Sequence, residues 1–225
     1  MSAGRDQLPL PIGGEAAAED VLRAPSNAIA LAELERWRAW PGGRLALIGP
    51  AASGKSTMAA AWAREVGAAA LPAEALEGAD LAALAETGAV VEDADRRLSP
   101  EGEVALFHLH ERCAAAARPL LLTARTPPAR WAVGLKDLAT RLGAWPLARI
   151  EPPEDALLEA LAARLLAARG LRAEPGLPRY LVRRLDRSHA ALRDAVAALD
   201  AAALARRARV TIALAAEVLA EDAPR

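Results

Sequence analysis

Short apolar runs alternate with amphipathic stretches up to about residue 150, after which amphipathic stretches continue alone. Leu45-Ala46-Leu47-Ile48 and residues 68–71, 89–91, 120–123 and 147–150 are each too short for a helix and carry no polar alternation. They predict strands buried on both faces, as in a parallel sheet. Helical periodicity fills the intervals, beginning with residues 28–37 and with a segment that Gly67 ends. Beyond Pro152 the pattern predicts helices at 154–168, 178–185, 188–205 and 211–220, separated by turns at Gly170, Pro175 and Gly176. Residues 1–20, broken by Pro9, Pro11, Gly13 and Gly14, predict a flexible tail. The layout is thus a tail (1–20), an α/β subdomain with a parallel sheet flanked by helices (21–151) and a small all-helical lid (152–225).

Composition supports a core without staples: 53% of the 225 residues are hydrophobic, and the lone Cys113 leaves no internal disulfide. Neither a leader peptide nor a long apolar span is legible, so the expectation is a cytoplasmic protein with no membrane contact. A net charge of −1 supplies no general field for nucleic acid. The cluster Arg206, Arg207 and Arg209 reads as a solvated helix end.

The most specific chemistry follows the first predicted strand. Gly49-Pro50-Ala51-Ala52-Ser53-Gly54-Lys55-Ser56 is a P-loop, and Thr57 continues it into a helix. The glycines let the chain wrap a polyphosphate, backbone N–H groups face the anion, Lys55 reaches the outer phosphates, and the Ser56 hydroxyl suits Mg²⁺. ADP or ATP with Mg²⁺ is the cofactor that this motif implies. The third strand ends in Glu92-Asp93-Ala94-Asp95, resembling a Walker B motif, in which one acid holds the Mg²⁺ shell and the next orients water. By position these are Glu92 and Asp93. The usual order begins with Asp, so weak or absent hydrolysis of the chain's own ATP is expected. Thr123, ending the fourth strand, is placed to sense a γ-phosphate, and Arg141 lies on a helix where it can be offered to a neighbouring subunit.

Taken in order, the P-loop, the acidic strand end, Leu122-Thr123-Ala124-Arg125-Thr126-Pro127-Pro128, Thr140-Arg141-Leu142, Ile150-Glu151-Pro152-Pro153 and the helical lid resemble the AAA+ region of the DnaA replication initiators. The lid segments Arg184-Leu185-Asp186-Arg187, Leu199-Asp200 and Thr211-Ile212, with the tail peptide Gln7-Leu8-Pro9-Leu10-Pro11-Ile12, resemble the Hda branch of that family. The resemblance covers about residues 7–222.

It implies regulatory inactivation of DnaA. Bound to nucleotide and to the DNA-loaded sliding clamp through Gln7, Leu8, Leu10 and Ile12, such a protein stimulates ATP hydrolysis by DnaA, with Arg141 as the arginine finger. A homodimer is possible for the family. The chain ends after the lid, so sequence-specific DNA reading is not expected. The resemblance also puts Ala190 where the lid's sensor arginine would lie, leaving Arg187 or Arg193 to substitute. The alternatives are a DnaA-related accessory or helicase-loader module without clamp dependence, and an autonomous P-loop kinase. His108, His110, Glu111 and Cys113 lack ligand spacing for a transition metal. The five tryptophans read as packing residues.

Overall fold

A computed structural model describes residues 21–96 and 98–221; the Gln7–Ile12 peptide lies outside them. Five strands form one sheet: β1 (Arg44–Ile48), β2 (Ala69–Pro72), β3 (Ala89–Glu92), β4 (Leu120–Ala124) and β5 (Leu147–Arg149), in the order β2-β3-β4-β1-β5 and parallel throughout. Crossovers carry helices to both faces, as parallel pairing demands. Side-chain alternation sorts the sheet residues: Ala46, Ile48, Ala89, Val91, Leu120 and Leu122 pack in one apolar cluster, whereas Leu45, Leu47, Val90, Leu121 and Ala148 pack in another.

Helices α1 (Ala28–Glu35) and α2 (Lys55–Val66) cover the second cluster through Leu34, Met58, Ala59 and Trp62. Helices α3 (Leu81–Thr87), α4 (Pro100–Ala115) and α5 (Lys136–Gly143) cover the first, where Leu106, Leu109, Leu138 and Leu142 are buried. Local signals set their starts. Asp80 caps α3 by accepting from the N–H groups of Ala82 and Ala83, and Ser99 caps α4 by accepting from Gly102, with Pro100 in the first turn.

After the sheet come α6 (Asp155–Ala168), α7 (Leu177–Arg184), α8 (His189–Arg206) and α9 (Ile212–Glu221). They enclose a third apolar cluster that includes Leu161, Leu165, Leu177, Leu181, Val196 and Leu199. The segment before α1 touches two cores, with Val21 packed on the α2 face and Leu22 on the lid. Among the described residues, no helix is long and apolar enough to cross a membrane.

Most element ends differ by a residue or two from the pattern-based expectation, and two of the shifts have a visible local cause. The first helix stops at Glu35 rather than continuing to 37 because the Trp40 indole N–H donates to the Glu33 carbonyl at 2.7 Å, and the chain tightens into short 3-10 turns. The β2 strand begins one residue late because the Ala68 N–H returns to the Ala63 carbonyl at the end of α2.

Candidate functional site

The P-loop joins β1 to α2. The Gly49 N–H donates to the Ala124 carbonyl at 3.2 Å, fastening the loop's start to β4. Glycine is required there, since a Cβ would lie 2.9 Å from both the Ile150 carbonyl oxygen and Ser53 Oγ. Ala52 and Gly54 adopt left-handed backbone, at φ 58° and 90° respectively. A Cβ at Gly54 would meet nothing within 4 Å, so its glycine serves conformation rather than space. Left-handed residues in such a loop bend the chain into a concavity that suits an anion, and the Ser53 N–H between them turns back to the Pro50 carbonyl.

Lys55 begins α2 and is only 6% exposed. Its ammonium donates to the carbonyls of Gly49 at 2.8 Å and Pro50 at 2.7 Å, so the loop closes over its own cation. Burial pushes its pKa below the ordinary 10.5; Asp93 and Asp95 oppose that shift and Arg125 adds to it. The buried Ser53 hydroxyl has no hydrogen-bond partner among the described residues. An ammonium held by two carbonyls and a buried hydroxyl without a partner among the described residues, at the start of a helix, together fit a polyphosphate.

The acidic strand end lies beside this loop. Glu92, the last residue of β3, is in phase with Val90 and so belongs to the α2 face of the sheet. Asp93 takes a left-handed conformation at φ 52°, and its carboxylate accepts from Arg96 Nη2 at 2.9 Å. Thr123 is fully buried, and its Oγ1 accepts the Asp93 N–H at 3.0 Å. The threonine therefore braces the acidic turn, leaving its hydroxyl hydrogen to donate elsewhere. Asp95, assigned no role above, accepts at Oδ2 from the N–H groups of Arg125 (2.8 Å) and Thr126 (3.1 Å), locking the β3 and β4 ends together.

A pocket opens from the P-loop toward the lid. Ser53, Gly54, Thr57 and Met58 line one side, and Leu157, Leu161, Arg164 and His189 line the other. Asn27 also lines it, but its amide is already engaged by the Leu22 carbonyl and the Ala24 N–H. Sequence reasoning did not single out Arg164 or His189. The signal was present, because Leu157, Leu161 and Arg164 recur at helical spacing and share one face of α6. By contrast, Arg187 donates to the Pro153 carbonyl at 3.0 Å and pairs with Asp155 at 2.8 Å, bracing the entry to the lid, while Arg193 and Ala190 are exposed.

Arg141 is elsewhere. It lies on α5, whose buried face packs against the side of the sheet opposite α2. Its guanidinium is 40% exposed, pairs with Glu111 at 3.0 Å and stands over the Phe107 ring, 5.2 Å from the centroid. Among the described residues, no cluster of His, Cys, Asp and Glu could hold a metal ion by itself. Burial raises the Cys113 thiol pKa to about 11, which makes it a packing residue rather than a nucleophile.

No family model matches the chain. Solved structures do match its fold. Domain III of the Thermotoga maritima replication initiation protein DnaA superposes with a TM-score of 0.73 at 15% identity, over 89% of this chain and 94% of that one. AMPPCP-bound DnaA from Aquifex aeolicus gives 0.62 at 14%, over 80% of this chain and 63% of that one. The FIGL-1 AAA domain in complex with ADP gives 0.61 at 18%, over 88% and 80%. At these identities the likeness is one of fold, and the chain has an AAA+ fold like that of DnaA domain III.

Proposed function

We propose that this chain is a nucleotide-binding AAA+ regulator of the Hda type, which with the DNA-loaded sliding clamp stimulates ATP hydrolysis by DnaA and so prevents re-initiation of replication. The observation that carries the reading is the pairing of a formed P-loop with an arginine displayed on the opposite side of the sheet. A single molecule presents a site for its own nucleotide and a cation for another molecule's.

Each residue has a task in this reading. ADP or ATP occupies the loop from Gly49 to Thr57, with Mg²⁺ beside Ser56 and Glu92. An incoming polyphosphate favours the charged form of Lys55, offsetting the burial that lowers its pKa. The bound nucleotide stiffens the P-loop, the pre-α1 segment and the lid together, because all three line one pocket. Asp93 is engaged by Arg96 and by Thr123, which fits weak intrinsic turnover. Arg141 stabilises negative charge on the phosphoryl oxygens in the ATP site of DnaA. The tail residues Gln7, Leu8, Leu10 and Ile12 supply the amide and aliphatic groups that an apolar groove of the clamp recognises.

The test is hydrolysis of labelled ATP pre-bound to DnaA, with wild type, Arg141→Ala and Gln7→Ala, in the presence and absence of loaded clamp. Clamp-dependent stimulation that both variants lose supports the reading. Stimulation without clamp favours an accessory module independent of the clamp, and no stimulation under any condition rejects regulation of DnaA.

A further inference from the structure

Arg141 is not an isolated surface cation. Phe107 and Glu111 are four residues apart on α4, hence on one face, and that face meets α5 beside Arg141. The guanidinium is held on two sides, by the ring at 5.2 Å and by Glu111 Oε1 at 3.0 Å. That same carboxylate oxygen is 3.0 Å from Nδ1 of His110, which is 2% exposed.

The histidine's orientation follows from its other neighbour. Arg44, at the start of β1, donates through Nη1 to His110 Nε2, because a guanidinium carries only donors. With Nε2 accepting, Nδ1 carries the hydrogen and donates to Glu111. Burial, with the nearby Arg44 charge, lowers the His110 pKa and keeps the ring neutral, in agreement with that tautomer. The chain of contacts thus runs Arg44, His110, Glu111, Arg141, from a strand buried in the core to a half-exposed side chain.

We propose that Glu111 is a positioning residue for Arg141: fixed from beneath by His110 and aided by the Phe107 ring, it holds the guanidinium in one rotamer with its remaining N–H donors turned outward toward a phosphoryl group on a partner. A free arginine loses substantial rotamer entropy on docking, whereas a held one has lost part of it beforehand. An isolated exposed ion pair does little. This one differs because the carboxylate has a second, buried partner and the guanidinium an aromatic floor. The proposal rests on the reading of Arg141 as the finger, and adds which residue prepares it.

Two measurements on the full chain test it. The first is the ¹H–¹⁵N heteronuclear NOE of the Arg141 Nε–H group, assigned by its loss in Arg141→Lys, with Arg187 Nε–H as an internal reference. The expected result is an ordered Arg141 signal in wild type and a mobile one in Glu111→Gln, with the Arg187 signal unchanged. A mobile Arg141 in wild type, or one equally ordered in Glu111→Gln, overturns the proposal.

The second is the rate of DnaA-bound ATP hydrolysis against concentration of this protein. Glu111→Gln should lower the maximal rate about tenfold, as loss of orientation does, and move the half-saturating concentration far less. An unchanged maximal rate overturns the proposal, and an increased one does too, since Glu111 would then restrain the finger. If wild type stimulates nothing while the NOE difference holds, the regulator reading fails and the positioning of Arg141 by Glu111 stands.

Discussion

The P-loop corner and the Arg141 corner each depend on one cation, and they treat it in opposite ways. Lys55 is buried, bonded to two backbone carbonyls and depressed in pKa by the burial. Arg141 is half exposed, bonded to a side chain and backed by a ring. A cation for the molecule's own ligand can be stored inside the loop that will receive the ligand. A cation for another molecule must remain on the surface, where order has to come from neighbouring side chains because the backbone does not enclose it. The lysine is suited to the first task, as its ammonium donates to carbonyls in several directions; the arginine fork is suited to the second.

The comparison is broken most directly at the exposed corner. Under the proposed regulator reading, Arg141→Ala is expected to reduce stimulated hydrolysis by DnaA about a thousandfold or more, the range typical of arginine fingers, read as single-turnover release of phosphate. At the buried corner, Gly49→Ala forces a Cβ against the Ile150 carbonyl and Ser53 Oγ. It should destabilise the fold by about 1–3 kcal/mol and weaken ADP binding sharply, measured by urea denaturation and isothermal titration calorimetry. The Arg141 Nε–H signal should survive in that variant, because α5 packs on the side of the sheet opposite α2.

A smaller effect sharpens the role of the lid. Arg164→Ala should weaken ADP binding by about tenfold, the equivalent of one charge-assisted hydrogen bond, whereas Arg193→Ala should leave the titration curve where it was. Equal losses in both would mean that the pocket-lining position of Arg164 is immaterial.

The smallest effect is on pH. The His110 pKa is lowered in the folded protein relative to the ordinary 6.5, chiefly by burial and then by Arg44. As pH falls below about 6.5 the unfolded chain takes up a proton that the folded chain refuses, so stability decreases with acidity in that window. Thermal midpoints between pH 7.5 and 5.5 should show this slope, and His110→Asn, which keeps a donor but does not titrate there, should flatten it.

Much of this was legible in the residues. Five apolar runs predicted five strands, and the P-loop spacing predicted the strand, turn and helix that the structure shows. Two of the misplaced ends have local causes that pattern does not report: the Trp40 indole N–H donates to a carbonyl of the first helix, and the Ala68 N–H donates to the Ala63 carbonyl. Thr123 was read from its place at a strand end, where the structure has it buried and accepting the Asp93 N–H. That bond joins residues 30 apart, so no window along the chain contains it. Arg164 was missed because its partners in the pocket belong to the P-loop and to α8, although its helical phase with Leu161 was visible.

By itself the sequence determined the strand and helix inventory, the glycine-dependent phosphate loop and the chemical character of each candidate group, because these depend on periodicity, backbone freedom and side-chain type over a few residues. Tertiary structure alone decided which groups meet. It set Lys55 beside Asp93 and Asp95, placed Arg187 on Pro153 and Asp155 rather than in the pocket, and brought Arg141 to Glu111. Those pairings depend on how crossovers stack helices on a parallel sheet, and the free energy that selects one stacking is summed over the whole core.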